Sequence, residues 1–460
     1  MPMNWVTLPL ASKSYQPRSG TASIERLINM HAERNSDGAK TGFSLLSDPG
    51  LLSWTTVGSG PIRGMHRAFG YVWTVSGTEL YAVNESTKAA TLIGTIAGAG
   101  AVRMAHNATH VSVVSSANTY AANITTLTVL PNAGLVGVTF QDGYGVFPEG
   151  GTQNMFISGL DDLTSIAALD FTTVDTQPDA LVTCVSNQRE IWAMKELTTE
   201  VFSNTGATFP FARVAFIDRG VLAPGSVAIA ETAIFWLGDD KRVYRSSGYQ
   251  PVPVSDSAIE LLIADTYSPT TAEAFTYTQA GHTFYVLTFS DLTLVYDLTT
   301  GLWHERRSYG LDRWRAQCHV VVGGDTNLVG DYSTGDIYEL DLATYDENGE
   351  IMERIIVEPP LSNDPNPIFV HEMFWDMETG VGLTSGQGVA PVALLSWSDD
   401  DGNTWSSDRE LSIGALGVRR QRVNFTRLGR SLNRSFRLRI TDPVKVAIHG
   451  ARARIESGVR

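Results

Sequence analysis

The residues Ser398-Asp399-Asp400-Asp401-Gly402-Asn403-Thr404-Trp405 fit the spacing S-x-D-x-G-x-T-W, the Asp-box. The spacing has a mechanical cause. The Asp400 carboxylate can accept from turn amides, Gly402 can take a positive φ, and Trp405 can tuck beneath the hairpin that the turn closes. Asp-boxes occur in sialidases, so the chemistry to weigh is that of a carbohydrate-active, sialidase-like or carbohydrate-binding β-propeller. Such hydrolysis needs three arginines on separate blades together with a Tyr–Glu pair. Arg63, Arg189, Arg213 and Arg242 are the candidates, and nothing in their spacing makes them converge. A single Asp-box, formed by Ser398, Asp400, Gly402, Thr404 and Trp405, reads as a structural turn. No catalytic residue is assigned, and the chain is expected not to be an enzyme.

Other reactive residue types are equally dispersed. His304-Glu305-Arg306-Arg307, after Trp303, is expected on the exposed outer edge of a sheet. Asp325, Asp331 and Asp336 are spaced like turn residues rather than calcium ligands. Cys184 and Cys318 lie far apart with no CxxC spacing, and are expected to be buried free thiols of a protein made in a reducing cytoplasm. No G-x-S-x-G, HExxH, phosphate-binding loop or dinucleotide fingerprint occurs. Neither a metal nor a cofactor is expected.

The elements that must carry these residues are almost all strands. Only residues 256–267, with Ile259, Leu262 and Ile263 on one face, read as a helix. Elsewhere short runs of β-branched and aromatic residues are broken by Gly, Asp, Asn and Ser, as at 71–76, 191–195, 234–238, 282–289 and 292–297. An aromatic preceded by an apolar or β-branched residue recurs at Tyr81, Tyr120, Phe156, Phe202, Tyr244, Tyr296 and Tyr338. The mean interval is about 43 residues, the length of a four-stranded propeller blade. One such sheet cannot bury both faces alone, and radial stacking covers them. The expected fold is therefore all-β: a β-propeller of about seven blades over residues 61–345, with six as the alternative count because residues 136–173 form a weak unit. Residues 1–60 are expected to pack on or close that propeller. The turn at 346–350 and the Pro-rich segment 359–367 then lead into long alternating runs, read as a C-terminal β-sandwich over 346–460.

Charge is distributed unevenly. The formal net charge is −15, yet residues 418–460 hold eleven Arg and one Lys against one Asp and one Glu. The body is thus strongly acidic and the end strongly basic, which implies two different electrostatic neighbours. Arg420, Arg430 and Arg437 are the candidate interface residues. No run of 18 apolar residues exists, which excludes a membrane-crossing helix, and the opening Met1-Pro2-Met3-Asn4-Trp5 lacks the pattern of a secretory signal.

Several segments, in order, resemble one family. They are Ser14-Tyr15-Gln16-Pro17-Arg18-Ser19, Glu25-Arg26-Leu27-Ile28-Asn29-Met30, Ser47-Asp48-Pro49-Gly50-Leu51, Arg63-Gly64-Met65 and Val102-Arg103-Met104-Ala105-His106. Gly220-Val221-Leu222-Ala223-Pro224-Gly225-Ser226, Phe235-Trp236-Leu237-Gly238, the Asp-box and Arg427-Leu428-Gly429-Arg430 continue the series. Together they are similar to the packaged-DNA stabilisation proteins of short-tailed, podovirus-type phages, also called tail hub or nozzle proteins. The resemblance implies a virion protein of the tail, assembled in the host cytoplasm as a homo-oligomeric ring, usually a hexamer. It implies as partners an adaptor (head-to-tail connector) protein, tailspikes or tail fibres, and a needle or plug. The ring would close the filled head and conduct DNA on ejection without sequence-specific binding. An acidic wall fits that role, because it repels the duplex over a Debye length of roughly 8 Å at physiological salt.

Overall fold

A computed structural model of the chain describes residues 4–19, 23–131, 134–363 and 365–458. Among these residues seven four-stranded antiparallel blades follow one another. Six are built from consecutive strands, at residues 62–95, 103–130, 139–173, 181–217, 228–253 and 273–305. The seventh takes three strands from residues 316–341 and its outer strand, Gly50–Thr56, from near the N-terminus. That pairing, Gly50↔Asp341 to Thr56↔Asp336, closes the ring non-covalently. Gly50 is needed there, because a Cβ would lie 2.4 Å from the Thr344 carbonyl oxygen.

The repeating aromatics have one structural meaning. All seven sit in the third strand of their blade, from Tyr81 in Glu79–Asn84 to Tyr338 in Asp336–Asp341. The weak unit at 139–173 is a complete blade with strands of only three to five residues. The count is therefore seven, and six is ruled out. Seven apolar clusters, each drawn from two neighbouring blades, run around the ring from Trp73, Val75 and Val113 between blades 1 and 2 to Ile62, Val72 and Leu328 between blades 7 and 1. Burial between blades, at roughly 25 cal/mol per Å² of apolar surface, is what holds each otherwise two-sided sheet. The one α-helix, Ser257–Asp265, is capped by Asp256, whose carboxylate accepts from the Ala258 and Ile259 amides, and it plugs Ile259 and Ile263 between blades 5 and 6.

The C-terminal region is a two-layer sandwich to which the N-terminal strands contribute. In one sheet Met30–Arg34 and Phe43–Ser47 pair in series with Ala447–Ser457, Ile368–Met377 and Val423–Ser431, and Asn4–Leu8 also pairs with Ala447–Ser457. The other sheet holds Arg354–Val357, Asn433–Ile440, Val392–Ser398 and Arg409–Ser412. Segment 1–60 thus serves both domains, giving strands to the sandwich as well as the closing strand of the propeller. The short strand Arg26–Ile28 bridges them, parallel to Leu302–Glu305 of blade 6 and antiparallel to Arg354–Val357, so that blade 6 and a sandwich sheet are continuous.

Candidate functional site: the junction, the axis and the basic face

The Asp-box turn forms as its spacing requires. Thr404 donates to Asp400 from its amide (2.8 Å) and its hydroxyl (2.6 Å), and the Ser398 hydroxyl donates at 2.7 Å. These donors favour the charged form and hold the Asp400 carboxyl down to about 2. Gly402 takes φ +83°. Trp405 packs with Ile24 and lies under the Arg437 guanidinium, 4.4 Å from the ring centroid. The Ser398 and Asp400 oxygens are consumed in holding the turn, while Asp399 accepts from Arg434 and Asp401 from Asn433. Its place was not legible in the sequence, because it abuts the bridge between the domains: a cleft of about 350 Å³ is lined by Gln16, Arg26, Arg307, Arg437, Gly402 and Trp405, among others. Arg26 grips Glu305 through two hydrogen bonds (3.1 and 2.5 Å), Arg307 reaches Glu353 at 3.3 Å, and Arg437 donates to the Ser396 hydroxyl at 3.0 Å. Arg437 is thereby half-buried and packs in the junction.

The expectation of an exposed edge after Trp303 is corrected. It is the outer strand of blade 6, yet His304, Glu305 and Arg306 are buried, because N-terminal strands cover that edge. Beneath the cover lies an ionic cluster. Asp48 accepts from His31 at 2.8 Å, with His304 at 3.4 Å and Arg306 at 3.8 Å from its other oxygen. Burial alone would raise the Asp48 carboxyl. His304, His31 and Arg306 together outweigh it and hold the group well below the usual carboxylate range. His282, 5.1 Å from the His31 ring, donates to Asp297 at 2.8 Å, which raises its pKa against the opposing effect of burial. Arg306 also stacks 3.7 Å from the Trp314 ring centroid.

At the propeller axis the arginine is already committed to a carboxylate. Arg103 of blade 2 and Glu273 of blade 6 meet across the centre in a bidentate pair, both contacts 2.8 Å. The four arginines that were candidates for the three of sialidase chemistry are apart. Arg63 donates to the Gly100 and Gly77 carbonyls, Arg189 pairs with Asp142, Arg213 with Glu200, and Arg242 with Glu260. Asp331 and Asp336 accept from turn and strand hydroxyls and amides, Asp331 from Ser333 and Thr334 and Asp336 from Thr56 and Thr334. Cys184 is buried and Cys318 half-buried, both free, and burial pushes both thiols up, Cys318 to about 12.

The basic end of the chain divides into two populations. Arg434 pairs with Asp399, Arg439 with Glu353 and Asp408, Arg454 with Glu372, and Lys445 with Glu378. Arg419, Arg420, Arg422, Arg427, Arg430 and Arg452 are exposed and have no ion-pair partner among the described residues. Arg420 lies in the loop before Val423–Ser431. Arg430, Arg422 and Arg452 belong to the outer surface of the sandwich sheet that carries the N-terminal strands. There Phe369 is paired with Arg430, Phe374 with Arg452, and Trp5 with Arg454, so aromatic and cationic side chains share one face. Alternation of Arg452 and Arg454 with buried Ala451 and Ala453 is the local signal that could have found Arg452. Trp5 gives no such signal, since its neighbour lies more than four hundred residues away in sequence.

Comparison with known proteins agrees with this architecture. Residues 7–345 match the family described as "Bacteriophage P22 Gp10, beta-propeller", and residues 353–456 match "Bacteriophage P22 Gp10, beta-sandwich". No curated protein sequence matches. Among solved structures, the Pan2 WD40 domain of Neurospora crassa is similar at 12% identity and TM-score 0.43, covering 64% of this chain and 95% of that one. PorZ, a surface component of the type-IX secretion system of Porphyromonas gingivalis, gives 12% identity and TM-score 0.40, covering 78% of this chain and 46% of that one. The extracellular domain of BT4673 from B. thetaiotaomicron gives 8% and 0.45, covering 87% and 59%. With a propeller and a sandwich both matched, across nearly its whole length, the chain belongs to the bacteriophage P22 Gp10 family and is a structural protein of a phage tail.

Proposed function

We propose that the chain forms a homo-oligomeric ring, of about six copies, below the portal and its adaptor, where it closes the filled head and conducts DNA outward. The carrying observation is the closed propeller axis together with the segregated charge. A blade-to-blade ion pair at Arg103 and Glu273 leaves no route for a duplex through one molecule. A conduit therefore has to be the space between copies, which several chains around one axis supply. The acidic body suits the wall of such a conduit, since phosphate binding requires basic surfaces, and the exposed arginines of the sandwich suit protein contacts. The adaptor above, the tailspikes or fibres at the side and a needle or plug below are the partners this position provides. On this reading the protein does assembly rather than chemistry, and its place is the virion tail, reached by assembly in the host cytoplasm.

The test uses particles made without this chain. They are expected to fill with DNA, lose it on isolation and show no tail knob in negative stain, and purified chain should restore both properties. Particles that hold their DNA and keep a complete tail in its absence would refute the reading.

A further inference from the structure

The propeller rim opposite the sandwich has an unusual surface. From residue 104 to residue 188 there is no Lys or Arg, while Asp142, Glu149, Asp161, Asp162, Asp170, Asp175 and Asp179 fall in the same stretch. This stretch builds blades 2 and 3 and the start of blade 4. Their outer strands, Leu127–Leu130 and Phe171–Thr173, end their sheets without a further partner strand among the described residues. Apolar side chains stand exposed beside them: Leu169 (88%), Val129 (56%) and Phe171 (37%). Asp170 and Asp175 are exposed there and have no ion-pair partner among the described residues. Large exposed apolar groups on an unpaired sheet edge mark a surface that another molecule covers.

The complementary surface is on the same chain. The outer face of the sandwich presents Trp5 (51% exposed), Phe369 and Phe374 among Arg422, Arg430 and Arg452, which have no ion-pair partner among the described residues. The two surfaces cannot meet within one molecule. The sandwich is continuous with blade 6, and in a ring of seven blades the point opposite blade 6 is the boundary between blades 2 and 3.

The geometry points to a head-to-tail contact between copies, in which the aromatic and arginine-bearing face of one sandwich docks on the acidic, apolar rim of blades 2 and 3 of the next. A pair of different, complementary patches at opposite ends is a heterologous interface, and repetition of it generates a closed ring or an open filament. The inference rests on the ring reading above and specifies the surfaces that make it. Aromatic residues would form the dry centre of the contact and Arg–Asp pairs its rim, the usual anatomy of such interfaces.

The experiment is a charge exchange in tails assembled with the full-length chain. Arg422→Glu with Arg452→Glu should lower incorporation by about tenfold or more, with an unchanged melting temperature because both side chains are exposed. Adding Asp170→Arg and Asp175→Arg to the same chain should restore it. In parallel, Thr7→Cys with Leu169→Cys should give a ladder of covalently linked copies under a short bis-maleimide, and either cysteine alone should not. A ring visible in negative stain, but with the reversed arginines tolerated or the ladder absent, overturns this pairing and leaves the ring standing. Tails that carry a single copy overturn both.

Discussion

Glu358 illustrates how one residue can set a pH response. Its carboxyl is buried in the sandwich beside the N-terminal segment, where one oxygen accepts the Ala11 amide at 2.8 Å and the other has no hydrogen-bond partner. Among the described residues no cation compensates it, and burial pushes its pKa up to about 8. The folded state therefore binds a proton that the unfolded state releases near its ordinary value. The sign follows: Glu358 is neutral and costs little below about pH 4.5, stability falls as pH rises from there to about 8, and beyond that the loss is constant. Glu358→Gln should keep the Ala11 hydrogen bond and flatten that limb, gaining a few kcal/mol at pH 8 and almost nothing at pH 4.5. Urea titrations at the two pH values check it. An equal gain at both would place the effect in packing rather than in the proton.

At the scale of elements, what was legible depended on sequence separation. The blade repeat could be read because each blade is local, so aromatics of the third strand recur with the blade length and survive even in the short third blade. Phe436, Leu438 and Ile440 alternate with Arg437 and Arg439, and the strand they announced is there with the expected face buried. The destinations of the N-terminal strands were not legible, since their partners, such as Ala447–Ser457 for Asn4–Leu8, leave no local pattern. The burial of His304 through Arg306 was missed for the same reason: the strands that cover them come from the other end of the chain. The Asp-box could be recognised as a turn, yet its place against the junction could not, because Ile24 and Arg437 reach it through tertiary packing.

The closing strand shows how unequal the elements are. Leu51 inserts between blades 6 and 7 and Trp54 between blades 7 and 1, so Gly50–Thr56 seals two interfaces as well as pairing with Asp336–Asp341. Leu51→Ala should cost about 2–5 kcal/mol, as expected for a fully buried leucine. Phe171→Ala, on the open edge of blade 3, should cost about 1 kcal/mol or less by the ordinary scale for exposed positions. Chemical denaturation of the two variants side by side decides it. Similar losses would mean that the ring does not depend on its N-terminal seal.

At the scale of the molecule, the two domains are interlocked rather than strung together. From Asn4–Leu8 in the sandwich the chain passes through the bridge strand, returns to the sandwich, closes blade 7, traverses the propeller and re-enters the sandwich. The interface it crosses is ionic. Asp48 sits among His31, His304 and Arg306, while Arg354 ties Ser47 to the Tyr345 and Asp442 carbonyls. Removing one member of a buried charged cluster leaves the others uncompensated, at about 3–5 kcal/mol. The intact chain should therefore unfold in one calorimetric transition, with van't Hoff and calorimetric enthalpies equal, and Asp48→Asn should lower its temperature or split it into two. The acid limb fixes the cause. Because the folded state holds the Asp48 carboxyl below its ordinary value, its contribution is present above about pH 4 and is lost as pH falls further. The deficit of Asp48→Asn should accordingly shrink on acidification below that point. Two separate transitions in the unmodified chain at neutral pH, or a deficit that stays constant into acid, would show that this cluster does not couple propeller to sandwich.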